Sequence, residues 1–195
     1  MKSICIFCGS SMGKGDIYKN KAIELGKLLA KKNIALIYGG ADIGIMRILA
    51  DTVLENGGKV IGVMPKILED KEITHKHLTE LHIVEDMAQR KKMMADLADA
   101  FITLPGGFGT LDELSEILTW YQLEITEKPL AIFNINGFFD EFLKFLDTAV
   151  EQRFLRIEHR KNIIVEQDEE KLLQKLQNYS PIKIDSKWVD ELKLN

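Results

Sequence analysis

Short, almost uninterrupted hydrophobic runs alternate with longer amphipathic segments along most of the chain. Runs of this kind are typical of strands buried on both faces of a parallel sheet, and the longer segments have the apolar spacing of helices that cover such a sheet. The predicted strands are 3–7, 34–38, 59–64, 81–84, 100–104, 129–134 and 162–165. The predicted helices are 18–31, 45–56, 87–98, 111–126, 138–152 and 168–179.

This alternation predicts an α/β fold, a Rossmann-like doubly wound parallel sheet of about seven strands with helices on both faces. The 195 residues leave room for one well-buried domain. We expect residues 1–179 to form a single Rossmann-like nucleotide-binding domain and residues 180–195, with Trp188, to form a C-terminal tail. Residues 65–80 interrupt the alternation with a polar stretch long enough to act as a lid.

Three loops rich in glycine or serine follow predicted strands, at 8–11, 39–44 and 105–110. Because the carboxyl ends of parallel strands meet at one edge of the sheet, we expect these loops to line a common pocket. The third loop holds Gly106, Gly107 and Gly109 and leads into a helix. Glycine lets the backbone approach a phosphate, and a helix N-terminus favours negative charge, so this loop predicts an anion cradle.

Glu113 follows the cradle by one turn and is a candidate for chemistry on the bound molecule. An alternative is that Thr110 and Glu113 form a capping box, in which Glu113 only starts the helix. We favour the site role, because a plain cap does not need three glycines.

Arg90 and Lys91 are the second candidates, since they fall on the apolar face of the predicted helix 87–98. A cation on that face is out of place unless it points into a polar cleft. The alternative is that both side chains extend past the apolar face to solvent. Because the helix dipole disfavours a cation near a helix N-terminus, the presence of two cations there favours a functional role for them.

Composition narrows the class of protein. The hydrophobic and charged fractions, 46% and 29%, are ordinary for a globular protein, and the net charge of −4 argues against a nucleic-acid partner. We find no signal peptide and no apolar run of membrane-spanning length, so we expect a cytoplasmic protein without membrane contact. Cys5 and Cys8 fall in the first hydrophobic run, on opposite faces if the strand continues, and we expect buried, reduced thiols.

The loops do not match the common cofactor motifs. Loop 39–44 resembles a dinucleotide fingerprint, but the following strand ends without the acidic residue that holds a ribose. No Walker lysine follows any of the three loops, and nothing marks a pyridoxal site, so no cofactor is expected. His75 and His77 have metal-like spacing without an accompanying acidic or cysteine cluster; we expect an exposed or lid role and no metal.

Two segments carry a resemblance to a known family. Residues 87–91, MAQRK, and residues 105–113, PGGFGTLDE, resemble the signatures M-x-x-R-K and P-G-G-x-G-T-x-x-E of the Lonely Guy (LOG) family. The likeness runs from loop 8–11 through residues 79–82, Trp120 and Gln122 to about Phe154.

The resemblance implies a Rossmann-like homodimer that needs no cofactor and acts in cytokinin biosynthesis. Its reaction would release the base from a cytokinin riboside 5′-monophosphate or AMP, a small-molecule substrate. The same resemblance implies Arg90 and Glu113 as the catalytic pair. The substrate-binding residues would be Ser10, Gly40, Lys91, Gly106, Gly107, Gly109 and Thr110. The alternative is a non-catalytic nucleotide or molybdenum-cofactor carrier on the same fold.

Three positions depart from the family pattern. Ala41 and Arg47 replace glycines of the motif G-G-G-x-x-G-L-M-G, and Ala88 replaces a histidine often found before the arginine. An alanine fits at position 41 if its φ is negative, whereas Arg47 could add a phosphate contact or crowd the base pocket. These departures concern the preferred base more than the class of reaction.

Overall fold

A computed structural model describes residues 1–69 and 74–182 of the chain. Seven parallel strands form one sheet, in the order β4-β3-β2-β1-β5-β6-β7. The strands are β1 Ser3–Phe7, β2 Ala35–Tyr38, β3 Val60–Pro65, β4 Glu80–Val84, β5 Ala100–Thr103, β6 Leu130–Phe133 and β7 Ile164–Glu166. The helices are α1 Ile17–Lys31, α2 Gly44–Glu55, α3 Lys66–Glu69, α4 Met87–Leu97, α5 Phe108–Gln122, α6 Asp140–Glu151, α7 Ile157–Lys161 and α8 Glu169–Gln177.

Helices cover both faces of the sheet, so the expected Rossmann-like architecture is confirmed. One hydrophobic cluster joins one face of the sheet to α1, α2 and α8, and a second joins the other face to α4, α5 and α6. Strand β1 contributes to both, because Ile4 and Ile6 belong to the first cluster while Cys5 and Phe7 belong to the second. Cys5 and Cys8 are buried and free, as expected, and lie in opposite clusters.

The strand order places a topological switch between β1 and β5. The chain builds outward from β1 to β4, then returns to β5 on the other side of β1. At such a switch the connecting loops leave in opposite directions and open a crevice beyond the strand ends. The loops after β1 and β5 are the ones that carry Ser10 and Gly106.

Several boundaries differ from the prediction. Helix α5 begins at Phe108 instead of 111, because Gly107 is its extended N-cap residue. Helix α7 was not predicted, since five residues are too few to show helical periodicity. Part of the predicted lid, residues 66–69, forms α3, while 70–73 and the tail residue Trp188 lie outside the described residues. None of the described helices has the length and apolar character needed to cross a membrane.

Candidate active site

A cavity of about 330 Å³ opens at the carboxyl edge of the sheet, around the β1/β5 switch. The three glycine- and serine-bearing loops all contribute to its wall, as expected, through Ser10, Gly39 and Gly107. Arg90 and Glu113 line the same cavity. The sheet edge therefore brings together the cradle, the cation and the acid that the sequence singled out separately.

Arg90 is buried, with 8% of its surface exposed, and does not extend to solvent. It lies in the second turn of α4, whose N-cap Asp86 accepts a hydrogen bond from the backbone N–H of Gln89. Its Nε donates to the carbonyl of Val63 at 3.1 Å, and Nη1 lies 3.1 Å from Oε1 of Glu113. The guanidinium is therefore fixed by β3 on one side and by α5 on the other.

Glu113 is not part of a capping box. Helix α5 begins five residues before it, so Glu113 lies in the second turn, with 7% of its surface exposed. Burial raises the pKa of its carboxyl group, while the adjacent Arg90 guanidinium acts in the opposite direction. A buried carboxylate with one cationic partner is a usual arrangement for a group that takes part in chemistry.

The N-terminus of α5 is open toward the cavity. Gly107 caps the helix without a side-chain hydrogen bond, which leaves the first backbone N–H groups available to an anion. Gly106 is required for packing, because a Cβ there would overlap Oγ1 of Thr110 and lie 2.9 Å from the backbone nitrogen of Gly9. A Cβ at Gly107 or Gly109 would meet nothing within 4 Å. The open side of the cradle therefore lies at these two glycines.

Only some of the other predicted substrate-binding residues lie at the cavity. Ser10 and Thr110 line the cavity. Gly40, at φ +76°, is in the left-handed region, and its carbonyl accepts a hydrogen bond from the backbone N–H of His75 at 2.9 Å. Lys91 does not line the cavity; its Nζ lies 3.1 Å from both Asp112 and Glu116 on α5.

The structure shows where the three residues that depart from the family pattern lie relative to the cavity. Ala41 lies in the cavity wall and is not among the residues with positive φ, so an alanine fits there without strain. Arg47 does not line the cavity; its Nε lies 3.3 Å from Asp42 and 3.2 Å from Asp51. Ala88 is exposed on α4.

His75 differs from the expectation of an exposed residue. It is 4% exposed, and its Nε2 lies 2.9 Å from Oδ1 of Asp51 on α2. This pairing could not be predicted from the sequence, because the two residues are 24 positions apart. His77 is exposed, as expected. Within residues 1–69 and 74–182, no group of three or more His, Cys, Asp or Glu side chains could hold a metal ion.

The fold and the cavity define the class: a Rossmann-like α/β protein with a cleft at its topological switch, where an open helix N-terminus lies next to a buried arginine–glutamate pair. Residues 46–176 match the family model described as "Possible lysine decarboxylase". The sequence is 47% identical over 180 residues to the cytokinin riboside 5′-monophosphate phosphoribohydrolase LOG1 of Arabidopsis thaliana, covering 92% of this chain and 84% of that one. It is 43% identical over 192 residues to the rice (Oryza sativa subsp. japonica) enzyme LOG, covering 98% and 79%. The chain belongs to the LOG family.

Solved structures with the same fold include proteins of other function. The molybdenum cofactor binding protein of Rippkaea orientalis matches with a TM-score of 0.69 at 17% identity, over 91% of this chain and 97% of that one. The Moco carrier protein of Chlamydomonas reinhardtii matches with a TM-score of 0.67 at 19% identity, over 90% and 95%. At these identities the likeness concerns the fold alone.

Proposed function

We propose that this protein hydrolyses the N-glycosidic bond of a nucleoside 5′-monophosphate and releases the free base and ribose 5-phosphate. The observation that carries the proposal is the buried Arg90–Glu113 pair, which lines the same cavity as the open N-terminus of α5. The names of the similar plant proteins, cytokinin riboside 5′-monophosphate phosphoribohydrolases, support the same reaction.

In this proposal the 5′-phosphate binds at the N-terminus of α5. Backbone N–H groups of the loop from Gly106 through Gly109 donate to its oxygens, and the side chains of Ser10 and Thr110 add hydroxyl donors. Helix α5 is 15 residues long, so its dipole contributes a favourable potential for an anion. Lys91 compensates part of the negative charge of two carboxylates of α5 near the cradle, and Gly40 shapes the facing loop.

Glu113 then acts at the anomeric carbon. As the bond from C1′ to the base nitrogen breaks, positive charge develops on the ribose ring, and a nearby carboxylate stabilises it. A water oxygen forms the new bond to C1′, one proton of that water is released, and the base leaves with a proton. Arg90 favours the ionised form of Glu113, against the effect of burial on its pKa, and fixes the orientation of its carboxylate.

The base binds against the apolar part of the wall. Ile43, Met46, Met64 and Leu68 line the cavity on the side of loop 39–44, and the nearly fully exposed ring of Phe108 lies at its rim. Such a wall suits the flat face of adenine or an apolar substituent on its amino group. We propose adenine nucleotides, with or without an N6-isopentenyl group, as substrates.

The test is incubation of the purified protein with AMP and with N6-isopentenyladenosine monophosphate, followed by chromatography for free base and ribose 5-phosphate. Release from either nucleotide supports the hydrolase. Binding of both nucleotides without release of base from either would contradict it and would favour a carrier instead.

We further propose a cytoplasmic homodimer whose residues 1–179 form one nucleotide-binding domain. An apolar groove of about 210 Å³ between α5, α6 and α7 supports the dimer, since Phe145 in its wall is 65% exposed and Phe154, which precedes the lining residue Leu155, is 86% exposed. The two free, buried cysteines are typical of a reducing compartment. Light scattering should give twice the 22.2 kDa mass of the chain, whereas a monomer mass would contradict the dimer.

A further inference from the structure

The backbone that follows the undescribed residues 70–73 packs against the substrate-binding loop 39–44. Thr74 forms an isolated antiparallel bridge with Ala41, a residue of the cavity wall. The backbone N–H of His75 donates to the carbonyl of Gly40 at 2.9 Å. Thr74 and His75 thus hold the loop at Ala41 and at Gly40, and Gly40 has a positive φ.

Both ring nitrogens of His75 form hydrogen bonds. Nδ1 accepts a hydrogen bond from the backbone N–H of His77 at 3.2 Å. The ring proton of the neutral imidazole is therefore on Nε2, which donates to Oδ1 of Asp51 at 2.9 Å. Since the side chain is only 3% exposed, these two bonds fix the tautomer and orientation of the ring.

Asp51 connects His75 back to the same loop through Arg47. The second oxygen of Asp51, Oδ2, lies 3.2 Å from Nε of Arg47, and that nitrogen lies 3.3 Å from Oδ1 of Asp42. Asp42 is itself a residue of loop 39–44. The loop is therefore held mainly by the backbone of His75 at Gly40, and the exposed ion pair of Arg47 with Asp42 adds a weaker link from Asp51.

We propose that His75 is a positioning residue for substrate binding, because its backbone and side chain together hold the loop that forms one wall of the cavity. The inference rests on the proposed function for the identity of the substrate. Ala41 and Ile43, which this loop presents to the cavity, depend on that attachment. Arg90 and Glu113 are held independently by the carbonyl of Val63 and by each other.

The kinetic expectation follows from this separation. Loosening the loop weakens nucleotide binding while the catalytic pair stays in place, so KM rises and kcat does not fall in proportion. A residue that served stability alone would lower the folded fraction, which reduces the apparent kcat and leaves KM unchanged. A rise in KM with little change in kcat therefore indicates a positioning role, and a fall in apparent kcat with unchanged KM indicates a structural role.

The experiment compares His75→Ala and His75→Gln, with His77→Ala at an exposed neighbouring position as the matched control. For His75→Ala we expect KM for AMP to rise roughly five- to tenfold, the effect of one buried hydrogen bond, with little change in kcat. His75→Gln, whose amide can still donate to Asp51, should recover most of the affinity, and His77→Ala should behave as the wild type. Asp51→Ala, at a partly exposed position, should reproduce the rise in KM if His75→Ala folds poorly.

Hydrogen exchange supplies a readout that does not need turnover. In His75→Ala and Asp51→Ala, amide exchange in residues 40–45 should accelerate relative to the wild type, and exchange in α4 and α5 should not. If the wild type releases no base but this pattern appears, the proposed function fails and the positioning role stands. Unchanged exchange in the loop together with an unchanged KM would overturn the positioning role.

Discussion

At the scale of single residues, the pairing of Arg90 with Glu113 is the feature that most needs a functional explanation. Both side chains are about nine-tenths buried and lie 3.1 Å apart. A buried ion pair seldom stabilises a fold more than apolar residues of the same size, because both charges lose their hydration. Its position in a cavity next to an open helix N-terminus instead indicates a prepared electrostatic site.

Gly39→Ala tests whether the position of Arg90 matters for turnover. A Cβ at this residue would overlap Nη2 of Arg90, so the guanidinium would have to shift from its contacts with Val63 and Glu113. We expect kcat to fall by roughly 100-fold, because a small misplacement of a catalytic group has effects of this size, and the melting temperature to fall as well, because the shift disturbs a buried ion pair. Steady-state kinetics and thermal unfolding measure the two quantities. Wild-type kcat in a folded Gly39→Ala variant would show that Arg90 has no such role.

The dependence of kcat/KM on pH tests the ionised state of Glu113 in the free protein. Burial raises the pKa of this carboxyl, so the acid limb of kcat/KM should have its midpoint above the ~4.3 of an unperturbed glutamate. The charge of Asp112 also raises this pKa, so Asp112→Asn should move the midpoint to lower pH. Asp96→Asn, an exposed carboxylate on α4, is the control and should leave it in place. An equal midpoint in all three proteins would contradict the assignment.

At the scale of elements, the junction from β5 to α5 determines the site. The helix starts at Phe108, directly after its N-cap Gly107, so its first amides and the second-turn Glu113 face the same cavity. Had α5 begun at 111 as predicted, Glu113 would have been a first-turn capping residue. The three extra residues of helix place Glu113 in the second turn, where it lines the cavity instead of capping the helix.

Substitutions at two adjacent glycines separate packing from binding in this junction. Gly106→Ala should destabilise the protein by about 1–3 kcal/mol, because its Cβ has no room beside Thr110 and Gly9. Gly107→Ala has open space and an extended backbone, so its free energy of unfolding should fall only by the cost of an alanine in place of an N-cap glycine, about 0.5 kcal/mol. Its affinity for AMP should nevertheless fall, since the added methyl group lies on the open side of the cradle. Denaturant unfolding and calorimetric titration provide the measurements, and equal stability of both variants would contradict the packing argument.

The sequence was sufficient to predict every strand of the sheet, because buried parallel strands are continuous hydrophobic runs that stand out from amphipathic helices. It also identified Arg90 and Glu113 as candidates, since a cation on an apolar helix face and an acid beside three glycines are local signals. The partnership of His75 with Asp51 could not be predicted, because it depends on tertiary packing across 24 positions. The predicted start of α5 was wrong because glycines usually interrupt a helix, whereas Gly109 lies inside this one.

At the scale of the whole molecule, the strand order explains how distant segments form one cavity. Loops that follow β1, β2 and β5 come from positions about 30 to 100 residues apart in the sequence, yet the parallel sheet aligns their starts at one edge. The same fold is found in the molybdenum cofactor binding protein of Rippkaea orientalis, so the architecture alone does not determine the reaction. We propose that the side chains at the cavity determine it, and that base release depends above all on Glu113.

The most direct measurement of that claim compares base release with nucleotide binding in Glu113→Gln. We predict that this variant binds AMP with an affinity close to that of the wild type but releases adenine roughly 100- to 10,000-fold more slowly, because it retains the cradle and loses only the carboxylate charge. Chromatography of the products and calorimetric titration give the two values. Release of adenine at the wild-type rate by a folded Glu113→Gln protein would contradict the account.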